Sequence, residues 1–204
     1  MLNYLNELKD SINIIIKKHK VFFFVFLACV LTSIVISIIA SINYFYYFSI
    51  KNLTDNILVS FLNKKINLFA FFFRRFFQYL LVICLIYLCS CNKYTIWLNI
   101  VICCFIAFNV FFNFVILIAL FGLFGLIHGI IVTLLVGLIF IITLIFLSLF
   151  FYAYLSECSS VGSYFKGFKD AWKVLLVSII IIFILSLFEV FIIPFSTSAF
   201  IIVF

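Results

Sequence analysis

The stretch YTIWLNIVICCFIAFNVFFNFVILIALFGLFGLIHGIIVTLLVGLIFIITLIFLSLFFYAYLS, Tyr94 to Ser156, contains no Asp, Glu, Lys or Arg. A helix crosses a hydrocarbon layer of roughly 30 Å with about 20 residues. The stretch is too long for one such helix and too short for three. It predicts two spans joined by a tight turn, at about 94–120 and 127–155. Gly122, Gly125 and Gly129 lie near the join. The solvent around this segment is lipid.

The rest of the chain follows the same rule. Val21 to Phe48 is free of charge and is preceded by Lys17, Lys18 and Lys20. It predicts a first span over about 21–48, longer than the apolar core of a signal peptide and set behind 20 other residues. A second apolar run opens after Arg74-Arg75 and reaches Cys91. Phe76 to Cys91 is short for a crossing, so this span starts earlier, at about 70, with the arginines snorkelling or lying at the interface. A last run follows Lys173 and is interrupted by Glu189 and Pro194, giving a span over about 174–194. The count is five, or four if the second run is a re-entrant hairpin.

Composition agrees. Of 204 residues, 69% are apolar and 9% charged, and the mean hydropathy is +1.48. That is far too little charge for a water-exposed surface. The net charge of +7 does not point to nucleic acid, because the basic residues gather at the ends of apolar runs, where they meet anionic headgroups and set topology. With the N-terminus inside, Lys9, Lys17, Lys18, Lys20, Lys93, Lys166, Lys169 and Lys173 fall on the cytoplasmic side. Lys51, Lys64, Lys65, Arg74 and Arg75 fall outside. The larger inner set favours a cytoplasmic N-terminus and an outer C-terminus.

The segments between spans read as surface helices. Leu2, Leu5, Leu8, Ile12 and Ile15 form an apolar stripe in residues 1–20, with Glu7, Lys9, Asp10 and Lys17 off it. This pattern marks a helix lying on the inner leaflet. Leu53, Ile57, Phe61, Leu68 and Phe72 repeat the pattern in the first loop, as do Val161, Phe165, Phe168 and Trp172 before the last span. The expected fold is therefore all-α: residues 1–204 as one polytopic integral membrane bundle of about five transmembrane helices plus short amphipathic interfacial helices.

Few residues inside the spans carry chemistry. Gly122, Gly125 and Gly129 are spaced i, i+3, i+7, as at a seam where two helices approach closely. His128 beside them reads as hydrogen-bonded within that seam or, alternatively, as a proton-relay or substrate contact. Asn99, Asn109 and Asn113 read as interhelical glue, or as the lining of a substrate path. Asn109 and Asn113 are one turn apart. Glu189 lies about 24 Å along its helix from Lys173, which places it near the outer interface. There it is either a structural terminus with Pro194, which bends or ends the helix, or a contact for a partner.

Cys89-Ser90-Cys91 and Cys103-Cys104 lack the paired C-x2-C spacing of a metal site, so no metal is expected. No Walker A, G-x-G-x-x-G, H-E-x-x-H or G-x-S-x-G motif occurs, and no cofactor or catalytic residue is expected.

This layout resembles the stage II sporulation protein M family of bacterial membrane proteins. The likeness rests on the basic segment before span one, the helical first loop and four further apolar runs. Locally it rests on Leu187-Phe188-Glu189-Val190-Phe191-Ile192-Ile193-Pro194, similar to the family's acid followed by proline, and on the glycine-bearing turn from Gly122 to Gly129. The resemblance implies a non-enzymatic scaffold in the cytoplasmic membrane of a bacterium, anchoring peptidoglycan hydrolases, with Glu189 and Pro194 near an external docking surface. The residues themselves leave two other functions open: a small-solute transporter, or the membrane subunit of an ATP-driven exporter with an ATPase partner. Membrane lipids are partners in every case, and a homo-oligomer fits each of them.

Overall fold

A computed structural model describes residues 19–47, 68–90, 94–157, 172 and 174–192. Among them are five helices long and apolar enough to cross a membrane. In chain order these are α1 (Lys20–Tyr47), α2 (Leu68–Cys89), α3 (Leu98–His128), α4 (Leu135–Glu157) and α5 (Val174–Ile192). A 3-10 turn, Thr95–Trp97, leads into α3, and a π-helical segment, Gly129–Leu134, leads into α4. The protein is a multi-pass integral membrane protein of all-α fold. Of the surface helices expected over 1–20, in the first loop and from Val161 to Trp172, residues 1–18, 48–67 and 158–171 lie outside the described residues, as does Pro194, while Leu68 and Phe72 of the first-loop stripe belong to α2.

α2 is one continuous helix of 22 residues, about 33 Å long. It is long and apolar enough to cross a membrane, and its helix is unbroken, with no hairpin turn inside it. It begins at Leu68, so Arg74 and Arg75 stand at the end of its second turn.

The directions of four helices follow from ring contacts at one end. Phe22 near the start of α1 stacks on Tyr152 near the end of α4 at 3.8 Å, and meets Trp97 at 5.2 Å. Tyr87 near the end of α2 meets Phe151 at 5.6 Å. The starts of α1 and α3 and the ends of α2 and α4 therefore share one end of the bundle, as successive crossings require. His19 joins them edge-on to Tyr152 at 5.4 Å. Amphipathic rings gathered at one level form the kind of aromatic belt that sits at a membrane–water interface.

α3 and α4 form a helical hairpin whose bend is a single residue. Gly122 has φ 58° and ψ −129°, a conformation that L side chains rarely adopt. Beyond it the chain runs back along itself, so that Gly129 faces Phe114 and Gly137 faces Val110. Gly122 therefore does not share one helical face with Gly125 and Gly129, as unbroken i, i+3, i+7 spacing implies. The bend interrupts that face.

The buried centre draws Phe26 from α1, Ile86 from α2, Cys103 and Ala107 from α3, Leu144 from α4 and Ile182 from α5. Large apolar side chains also cover the outside, among them Phe24, Phe69, Phe105 and Phe191. Against lipid such exposure carries no penalty, and the helices are held by close packing rather than by escape from water. Four buried hydroxyls are satisfied locally. Ser41, Ser178, Ser186 and Thr143 each donate to the carbonyl four residues earlier in their own helix.

Candidate functional site

Glu189 is the one buried charged residue among those described, 5% exposed on α5. A carboxylate taken out of water needs a cation and hydrogen-bond donors around it. α2 supplies both. The Tyr79 hydroxyl donates to Glu189 Oε1 at 2.7 Å, and Arg75 Nε lies 3.4 Å from Glu189 Oε2. Arg75 and Tyr79 are four residues apart, so one face of α2 presents both to the acid. The Arg75 contact is within ion-pair range, but Oε2 receives no hydrogen bond.

Aromatic side chains wall this cluster. The Tyr79 ring packs on Phe140 of α4 with centroids 4.5 Å apart. Phe183 of α5 lies edge-on to Phe72 and Phe76 of α2 at 5.5 and 5.9 Å. The guanidinium of Arg75 sits 5.5 Å from the centre of the Phe71 ring, and its side chain is 40% exposed. Arg74, the next residue, is exposed.

Tyr79 is the twelfth residue of α2, so the acid meets that helix near its middle. On its own helix Glu189 is the sixteenth of 19 residues, three before Ile192. Here an arginine and a tyrosine within the apolar layer make the position tolerable.

The other singled-out residues do not join this cluster. Asn99 is fully buried and donates its Nδ2 to Ser90 Oγ at 2.8 Å, tying the start of α3 to the end of α2. Asn109 donates to the carbonyl of Phe105 in its own helix, and Asn113 is exposed, so neither joins two helices within the described chain. His128 is partly buried and immediately precedes the π-helical segment. Gly125 and Gly129 are buried, and Gly122 makes the bend.

Cys29, Cys84, Cys89, Cys103 and Cys104 are free thiols, and no metal-binding group of three ligands occurs among the described residues. Arg75 and Tyr79 are what the sequence reading missed as site residues. Their four-residue spacing was a signal, but nothing in the sequence connects them to an acid more than 100 positions away.

The chain matches no family model, no curated protein and no solved structure.

Proposed function

We propose that this chain is a non-enzymatic membrane scaffold or assembly factor, set in a bacterial cytoplasmic membrane with its N-terminus inside. The observation that carries the reading is the use made of its buried charge. Glu189 is engaged by Arg75 and Tyr79, and the three groups fasten α2 to α5. A bundle fixed in this way presents steady apolar outer faces to lipid and to partner helices. The resemblance to the stage II sporulation protein M family adds a specific class of partner, the peptidoglycan hydrolases.

Crosslinking in native membranes, with identification of the attached proteins, tests this. Recovery of cell-wall hydrolases supports the scaffold. Recovery of an ATPase transfers the chain to the exporter class, and self-contacts alone count against the scaffold.

A second reading, a small-solute transporter, has one observation in its favour. Arg75 is 40% exposed inside a span, so the ion pair is open on one side. Ionisable groups inside a membrane commonly mark solute or proton paths. Solute uptake by vesicles carrying the purified chain, abolished by Glu189→Gln, would establish that reading.

A further inference from the structure

Two amides of α3, Asn109 half-buried and Asn113 exposed, lie inside the span Thr95–Ala119. Asn113 is exposed and has no hydrogen-bond partner among the described residues. One turn earlier, Asn109 donates Nδ2 to its own helix at Phe105 O, 2.8 Å away. Its carbonyl oxygen is left to accept. Hydrocarbon offers no water to complete either amide, so an outward-facing pair calls for a polar group from another helix.

The placement of the pair narrows what that helix is. At about 100° per residue, Cys103, Ala107, Val110 and Phe114 share the inward face of α3. Cys103 and Ala107 are fully buried, and Val110 and Phe114 meet the glycines that follow the bend. α1 covers one flank, where Ser33 donates to the Cys104 carbonyl. Asn109 and Asn113 turn toward the opposite flank, which at the start of α3 meets the end of α2 through Asn99 and Ser90. They continue a stripe through Leu98, Val101 and Phe105, which are 49%, 62% and 68% exposed. The steps along this stripe are three or four residues, as in a helix–helix seam.

We propose that this flank of α3 is the contact between two copies of the chain. Copies inserted in one membrane share one orientation, so the two-fold axis relating them runs along the membrane normal and their α3 helices are parallel. Parallel pairing places Asn109 opposite Asn109 and Asn113 opposite Asn113. An amide carries both donors and an acceptor, so each such pair satisfies itself across the axis. A foreign helix would need a matching polar group at the same depth, whereas a second copy carries it by construction. This inference stands apart from the scaffold proposal, since pairing of copies is independent of which other proteins the chain holds.

The test uses the full chain in lipid vesicles, labelled in two colours, with energy transfer followed as the protein-to-lipid ratio rises. Concentration-dependent pairing is expected. Asn109→Leu with Asn113→Leu weakens it about tenfold, in keeping with the strength of amide pairs between membrane helices. Ile36→Ala, on the exposed side of α1, leaves it unchanged. A photo-crosslinker in place of Phe105 captures a second copy in native membranes. A monomer at every ratio, undiminished pairing in the double variant, or capture of a different protein from position 105 would overturn the proposal.

Discussion

The α3–α4 hairpin and the α2–α5 contact are two ways of joining helices in lipid. In the hairpin the joining residues are defined by what they lack. Gly129 and Gly137 have no side chain, and Phe114 and Val110 occupy the space. Between α2 and α5 the joint is made by the most expensive groups a lipid-facing chain can hold, a carboxylate and a guanidinium, completed by a phenol. The hairpin is fixed by shape and depends on short-range dispersion. The other contact is fixed by charge and fails when either charge is left alone. The two contacts should therefore respond to substitution in different ways.

The largest effect is expected from separating the charges. Arg75→Leu leaves Glu189 buried without its cation, and removing one partner of such a pair costs about 3–5 kcal/mol. Glu189→Leu should cost less, because Arg75 is 40% exposed and its long side chain can turn toward the interface. The double change to leucine should recover most of the loss, since an apolar pair of similar volume replaces a buried ion pair well. Unfolding of the purified chain in mixed micelles measures all three. Equal losses for the two single changes, or no recovery in the double, would mean that the ion pair does not carry the joint.

Next comes the hairpin. A Cβ placed on Gly137 would lie 2.5 and 2.8 Å from the two methyls of Val110, and 3.2 Å from its Cβ. Val110 is branched next to the backbone and cannot swing away, so the helices must separate. Gly137→Ala is expected to cost about 2 kcal/mol, within the usual range for an overpacked interior. Gly137→Ala with Val110→Ala should restore stability. The compensation is steric here and electrostatic between α2 and α5, and the two double variants tell these mechanisms apart.

A smaller effect is expected at the phenol. Tyr79→Phe removes one donor from Glu189 and leaves the ring on Phe140 in place. Hydrogen bonds between membrane helices contribute roughly 0.6–1.7 kcal/mol, and a loss of about 1 kcal/mol in the same unfolding measurement is expected. In a chain that already carries Glu189→Leu, Tyr79→Phe should have almost no effect.

The two regions also differ in how far their residues disclose them. The hairpin is visible in the sequence, because a long uncharged run has to fold back and its glycines mark the bend. What escapes is that Gly122 alone makes the turn, leaving Gly125 and Gly129 in a separate helical stretch, since spacing arithmetic assumes an unbroken helix. The α2–α5 contact is hidden for a different reason. Arg75 beside Arg74 looks like a boundary marker, and Glu189 counted along its own helix looks like the approach to an end. Only packing puts them together, and a pattern within one helix carries no information about its neighbour. Asn99 shows the intermediate case. Its role in joining helices is legible, but its partner Ser90 is not.

The smallest expected effect is at Gly129, and it sharpens what shape means in the hairpin. A Cβ there would approach Phe114 Cδ2 at 2.7 Å and Cε2 at 3.0 Å, almost as close as Gly137 to Val110. Distance alone would rank the two glycines together. The neighbours differ, however, because an aromatic ring edge can tilt about two side-chain torsions, whereas a branched valine beside the backbone cannot. Alanine also favours a helix over glycine by about 1 kcal/mol, which offsets part of the strain at both sites. Gly129→Ala is therefore expected to stay within roughly 0.5 kcal/mol of the native protein, while Gly137→Ala falls clearly below it. If Gly129→Ala proved the more damaging, the cause would lie in the π-helical turn that Gly129 opens, not in the contact with Phe114. Phe114→Leu, which removes the ring and leaves the turn, would then fail to rescue it.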